Sequence, residues 1–333
     1  MKIAMVTVPF LPQLGGMETV VALLSREFVR VGCEVKVLTR TASNQKDNLP
    51  YQVLRQPDWK KIWQTFRWAD AVISQGLTLR LCWPILVSRK PCLFVHQMVL
   101  DRRQYGGILR RSLLARGRSV SVSRAVSEPL PVASEIIHNP YDAEIFQNDK
   151  SQPQSRELVF VGRLCLEKGA DLLITALKLL AEKKLQPSLT IVGDGKERHG
   201  LETQVCQLGL EGQIHFAGAV SKQPLVRILQ NHRLMIVPSR WREGFGIVAL
   251  EGIACGCVVI GAASGGLPEA IGNCGVIFSN GDAAALAEKI EKFLRQPELA
   301  VACQRNAASH LARHRPAFVA QKYLELLRAE VAA

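Results

Sequence analysis

Short apolar runs and amphipathic stretches alternate along the whole chain. Residues 2–8 form an apolar run of strand length, 17–31 carry apolar residues at helical spacing up to Gly32, and 34–39 return to a strand. In the next helix Trp59, Ile62, Trp63 and Phe66 share one face opposite Lys60, Lys61 and Arg67, which predicts packing of that face on a sheet in preference to docking on a membrane. Further strands are predicted at 71–74, 91–95 and 119–123. After the polar stretch 147–156 the pattern restarts at 158–161. It continues as helix 168–184, strand 188–192, helix 197–208, strand 213–217, helix 222–231, strand 234–237, helix 246–255 and strand 257–261. Repeated alternation of this kind predicts an α/β protein with parallel, doubly wound sheets. The break predicts two domains, 1–148 and 157–315, joined by a linker at 149–156. A C-terminal helix over 316–333 is expected to cross back to the first domain.

Composition supports two folded domains. A chain of 333 residues exceeds what one core ordinarily fills, and 48% hydrophobic with 21% charged residues suits a globular protein. The net charge of +13 is uneven: residues 1–150 hold 21 basic and 12 acidic residues, a net +9, whereas 151–333 hold 21 and 17, a net +4. A basic first domain suits nucleic acid, an anionic membrane surface or a phosphorylated substrate. Nine scattered cysteines without a Cys-x-x-Cys pair predict a reducing, cytoplasmic setting. The apolar start lacks a small-residue cleavage site, so no signal peptide is predicted, and no run is long enough to span a bilayer.

Chemistry concentrates at glycine-flanked strand ends. Glu243-Gly-Phe-Gly-Ile-Val-Ala-Leu-Glu251 places one carboxylate at the mouth of a predicted buried helix and another more than one turn inside it. A buried carboxylate needs partners, and an ionised one only accepts hydrogen bonds, so sugar or ribose hydroxyls are natural donors to it. After strand 158–161, Gly162-Arg163-Leu164 and Glu167-Lys168-Gly169 lead into a helix. Arg grips two oxygens, Lys supplies a point charge and the helix start adds its dipole, which makes a site for anionic oxygen; the same residues also fit a solvated basic loop. Gly15-Gly16 before the first helix permits close approach of a phosphate, or simply a tight turn. The G-x-G-x-x-G fingerprint is absent, which disfavours a nicotinamide enzyme.

In order, Gly162-Arg163-Leu164 with Lys168-Gly169, Val192-Gly193-Asp194-Gly195, Glu243-x7-Glu251 within Pro238–Gly246, and Gly265-Gly266-Leu267-Pro268-Glu269 resemble the retaining, nucleotide-sugar-dependent glycosyltransferases of family four. The resemblance covers nearly the whole chain. It implies a GT-B fold, with two Rossmann-like domains facing a cleft. It also implies a hexosyltransferase (class 2.4.1) that acts by front-face attack without a metal or other cofactor, using a nucleotide-diphosphate sugar as co-substrate, UDP favoured over GDP. Arg163 and Lys168 would hold the diphosphate, and Glu251 the ribose. Glu243 would contact the donor sugar beside Gly244, Phe245, Gly246 and Ile247, and Gly15 and Gly16 would meet the phosphate. His96, at the end of Leu93-Phe94-Val95, matches a histidine lying near the transferred sugar in relatives; as a bare residue it reads more often as structural. Asn139-Pro140-Tyr141-Asp142 resembles the family's Asn-Gly-Val-Asp turn, with Pro in place of Gly, and reads as structural.

The acceptor is less legible. Arg102, Arg103, Arg110, Arg111, Arg116 and Arg118 follow Asp101 without another acid, which suits a pyrophosphate-linked acceptor or an anionic membrane at the inner face of the cell membrane, and also a solvated loop. The resemblance implies a glycan, glycolipid or lipid-linked acceptor in cell-surface polysaccharide or lipopolysaccharide biosynthesis. A GT-B nucleotide-sugar epimerase and a non-catalytic nucleotide-binding GT-B protein are the alternatives. No motif for nucleic acid is present.

Overall fold

The computed structural model describes residues 1–13, 15–44, 47–100, 107–149 and 154–332, with residue 332 in its backbone only. The chain forms two compact units. Unit 1 comprises Met1–Asp142 and His314–Ala333, and unit 2 comprises Ala143–Arg313.

Unit 1 is built on seven parallel strands: β1 (Lys2–Thr7), β2 (Glu34–Thr39), β3 (Gln52–Arg55), β4 (Ala71–Gln75), β5 (Cys92–His96), β6 (Arg118–Ser121) and β7 (Ser134–Ile136), in the order β3-β2-β1-β4-β5-β6-β7. β4 and β5 are buried at every position, which is why their sequences read as continuous apolar runs without alternation. Its helices are α1 (Gly16–Arg30), α2 (Trp59–Trp68), α3 (Leu79–Cys82), α4 (Ile108–Leu114) and α5 (Arg124–Ser127). Asp58 caps α2 by accepting from the Lys61 amide at 2.7 Å. Of the α2 face expected in the core, Ile62 and Phe66 are buried and Trp63 stacks on Trp83, the ring centroids 5.8 Å apart. Trp59 departs from the expectation: it sits in the first turn, is 64% exposed, and carries the Lys60 ammonium over its ring.

Unit 2 has six parallel strands: β8 (Arg156–Val161), β9 (Leu189–Val192), β10 (Ile214–Gly218), β11 (His232–Val237), β12 (Val258–Ala262) and β13 (Gly275–Phe278), in the order β10-β9-β8-β11-β12-β13. Around them lie α6 (Ala170–Glu182), α7 (Arg198–Leu208), α8 (Lys222–Gln230), α9 (Ile247–Ala254), α10 (Leu267–Ile271), α11 (Ala283–Arg295), α12 (Pro297–Gln304) and α13 (Ala307–Ala312). The chain then returns to unit 1 as α14 (Pro316–Ala332), which packs on α1 and buries Val319, Ala320, Tyr323, Leu324 and Leu327.

The expected parallel, doubly wound architecture is found in both units. The strands that periodicity did not reveal, β3, β7 and β13, all lie at sheet edges, where one flank meets solvent and the apolar signal weakens. One helix start also differs. Lys168 does not open the helix: it closes a 3₁₀ turn over Leu166–Lys168, and α6 begins only after Gly169, whose φ is 70°. The arginines at 102 and 103 and residues 150–153 of the linker lie outside the described residues.

Candidate functional site

In unit 2 the strand order reverses between β8 and β11, and open α/β sheets bind ligands at the carboxyl ends of strands flanking such a point. The loop leaving β8 carries Lys168, and the loop leaving β11 carries Glu243. The two side chains meet: Lys168 Nζ donates to Glu243 Oε1 at 2.5 Å, and the Ser239 hydroxyl donates to the same oxygen at 2.8 Å. Both charged groups are half-buried, with 27% and 18% of their side chains exposed. The meeting depends on close backbone contact. A Cβ on Gly169 would lie 2.1 Å from the Pro238 carbonyl oxygen, so only glycine lets the loops touch here. Glu243 is fixed from behind, its carbonyl accepting from the Gly266 amide at 2.8 Å. Arg240 locks the β11 loop to the start of α6, donating to both carboxylate oxygens of Asp171 at 2.5 and 2.6 Å. The Asp171 carboxylate raises the guanidinium's already high pKa further.

The remaining expected donor residues lie on the same loops. Arg163 is exposed directly after β8, beside the close crossing of Gly162 and Gly193. Gly244 is half-buried, Phe245 is 3% exposed in the core, and Gly246, at φ 101°, begins α9 with Ile247 as its first helical residue. Glu251 is half-buried one turn inside α9. Burial first, and the Glu251 charge second, push the Cys255 thiol up to about 12.

Unit 1 reverses strand order between β1 and β4, and a cavity of about 310 Å³ opens there. Met17, Leu77, Met98 and Leu100 give it apolar walls, and His96, Gln97 and Arg110 give it polar ones. His96 ends β5, is 4% exposed, and its Nε2 lies 3.2 Å from the Ser119 hydroxyl. Burial lowers its pKa to about 4, so the ring is neutral at pH 7. Gly15 and Gly16 stand exposed at the start of α1, where the Glu18 carboxylate folds back so closely that a Cβ on Gly15 would lie 2.5 Å from it. The first turn of α1 therefore already carries an anionic group of its own.

Several residues of these sites were not foreseen from the sequence. Ser239, Arg240 and Asp171 brace Glu243 and its loop, yet no spacing marks them. Gln97 is held between two amides: its Nε2 donates to Gln75 Oε1 at 2.9 Å and Asn139 Oδ1 at 3.2 Å, and its Oε1 accepts from Asn139 Nδ2 at 2.7 Å. Asn139, expected to be structural only, thus also orients a cavity residue. Its carbonyl in turn accepts from His314 Nδ1 at 3.2 Å, tying the turn to the returning chain.

Comparison with known proteins agrees with this architecture. A glycosyltransferase from Rickettsia africae superposes with a TM-score of 0.84 at 18% identity, covering 99% of both chains. Anabaena Alr3699/HepE, solved with UDP and glucose, gives a TM-score of 0.80 at 20% identity over 99% of this chain and 100% of that one. The expected GT-B fold is therefore shared over the whole chain. In sequence, an uncharacterized glycosyltransferase of Methanocaldococcus jannaschii is 37% identical over 120 residues, which is 36% of this chain and 30% of that protein. The chain spans less than half the length of the curated relatives it matches. The family model described as glycosyl transferases group 1 matches residues 142–310, which include Arg163, Lys168, Glu243 and Glu251, and the chain belongs to that family.

Proposed function

We propose that the protein transfers a hexose-type sugar from a nucleotide-diphosphate sugar to a glycan or lipid-linked acceptor, with retention of anomeric configuration. The observation that carries this reading is the Lys168–Glu243 pair, held by two loops at the strand-reversal point of unit 2. Breaking the bond between an anomeric carbon and a diphosphate builds negative charge on the phosphate. Lys168 and Arg163 supply fixed positive charge there, which stabilises the transition state more than the bound donor. Glu243 and Glu251 accept hydrogen bonds from the sugar and the ribose. In front-face attack the acceptor oxygen bonds to the anomeric carbon while the carbon–oxygen bond to diphosphate breaks. The electron pair leaves with the phosphate oxygen, which takes the acceptor's proton. The amides at Gly244, Phe245 and Gly246 and the backbone at Ile247 line the donor, and Gly15 and Gly16, exposed at the start of α1, suit contact with an anionic group. The neutral His96 imidazole exchanges hydrogen bonds with sugar hydroxyls. UDP is favoured as the nucleotide, supported by the UDP and glucose seen with HepE.

A thermal-shift panel of UDP-, GDP- and ADP-sugars tests the donor, because a ligand at 100 times its Kd stabilises by about 2.7 kcal/mol. One nucleotide family is expected to raise Tm in the wild type and not in Lys168→Ala. Equal shifts in both proteins would remove Lys168 from the site. No helix among the described residues is long and apolar enough to cross a membrane. Ile108 and Leu109 are exposed beside Arg110 and Arg111, which supports peripheral contact with an anionic bilayer. Co-sedimentation should rise with the anionic lipid content of vesicles.

A further inference from the structure

The turn that carries Lys168 has no core of its own. None of Leu166, Glu167 and Lys168 is buried, and Leu166 is 56% exposed, so apolar packing does not set where the ammonium lies. Polar ties do, and they come from the loop after β11. The Arg240 and Trp241 amides donate to the Glu167 carbonyl at 2.9 and 3.3 Å. Arg240 Nη1 reaches the Leu166 carbonyl at 3.3 Å, and the guanidinium forks over Asp171, the second residue of α6. On its other side the same stretch is fixed by the loops after β12 and β13. The Trp241 carbonyl accepts from the Ser264 hydroxyl at 2.8 Å, and the Arg240 carbonyl from Asn280 Nδ2 at 3.0 Å. Arg240 therefore ties the segment bearing Lys168 to the frame that holds Glu243, whose own carbonyl is bonded to the Gly266 amide.

We infer that Arg240 is a positioning residue, acting with Asp171 to hold Lys168 and Glu243 in register; as a role in catalysis this rests on the transfer proposed above. Magnitudes separate it from a structural role. The two side chains are 37% and 34% exposed, and an ion pair so open to water contributes little to stability. A paired fork fixes distance and angle together, which a Lys ammonium cannot do. Misplacing a catalytic group by about 1 Å costs about 100-fold in rate. The pair is thus weak as a brace of the fold and strong as a setting of geometry.

Reductive methylation of the full-length protein, read by mass spectrometry, reports on Lys168 without any substrate. Arg240→Ala is expected to raise labelling of Lys168 about threefold, because an ammonium released from Glu243 loses its proton more readily, and to leave Lys183 beyond the far end of α6 unchanged. Unchanged labelling of Lys168 would overturn the inference. In donor-saturation kinetics Arg240→Ala and Arg240→Lys should each lower kcat about tenfold, with the donor KM within about threefold and Tm within a few degrees. Arg240→Lys keeps the charge and loses the fork, so wild-type kcat in that variant would assign the effect to charge and overturn the positioning role. Arg240→Ala combined with Asp171→Asn should be no slower than the slower single variant, because both remove one contact; losses that multiply would overturn the clamp. Arg295→Gln removes an equal charge from an exposed pair on α11 and should leave kcat within about twofold, and an equal loss there would reduce the effect to net charge. A wild type that transfers from no nucleotide sugar, with Lys168 labelling still raised by Arg240→Ala, would sink the transfer and leave the clamp standing, so the two readings fail separately.

Discussion

Glu243 is held by two donors on a single oxygen, the Lys168 ammonium and the Ser239 hydroxyl, in a half-buried setting where a lone carboxylate would be poorly solvated. Glu243→Gln keeps the shape of the side chain and removes its charge. It is expected to leave Tm within a few degrees and to lower transfer by at least about 100-fold, the scale of one lost electrostatic contact in a transition state. Steady-state kinetics beside a melting curve checks both parts. His96 makes a separate prediction. The unfolded imidazole takes a proton below about pH 6.5, whereas the folded one resists until about 4. Unfolding therefore binds protons in that window, and stability falls as pH drops through it. At about 1.4 kcal/mol per unit the loss reaches about 3 kcal/mol. Burial lowers the pKa of His232 as well, so the wild type carries more than one such contribution. His96→Gln should lose less stability than wild type between pH 7 and 4.5 in urea titrations, and parallel curves would rule His96 out as the source.

The strand-end loops of unit 2 work by backbone proximity. Gly193 has φ 137°, and a Cβ there would lie 1.9 Å from the Gly162 carbonyl oxygen, while Gly209, at φ 68°, has open space around it. The two glycines separate conformational strain from collision. Gly209→Ala is expected to cost about 1 kcal/mol, and Gly193→Ala at least about 3 kcal/mol, since backbone must shift. Chemical denaturation of the two variants compares them directly. This is also where the sequence was most and least readable. Glycines next to Arg163, Lys168 and Glu243 stand out because a missing side chain at a strand end is visible in one dimension. Ser239 and Asp171 do not, because their roles arise only when the loop after β11 meets Lys168 and the start of α6. Likewise β4, β5 and β12, buried at every position, announce themselves as apolar runs, whereas the edge strands β3, β7 and β13 do not.

At the scale of the molecule, unit 2 is one continuous segment with its own core, whereas unit 1 is completed by the last helix. A fragment of residues 143–313 is therefore expected to fold alone, with a cooperative melt by circular dichroism. Truncation after Arg313 removes five buried apolar side chains of α14. At about 1–3 kcal/mol for each large one, the loss rivals the roughly 5–15 kcal/mol that stabilises an ordinary domain. Limited proteolysis of the truncated chain should cut unit 1 and spare unit 2. The alternation of strands and helices foretold two sheets, and Pro316 foretold a final helix. That α14 belongs with α1 rests on packing between residues about 300 positions apart, which no local pattern encodes.

The return of α14 also sets the order of events during synthesis. Residues 1–142 leave the ribosome before α14, so the face of α1 that α14 covers stays open until that helix emerges. At ordinary elongation rates the remaining chain takes on the order of ten to forty seconds to make. The half of the protein that is born first is thus the half that matures last, and for that interval it is the part a chaperone would meet.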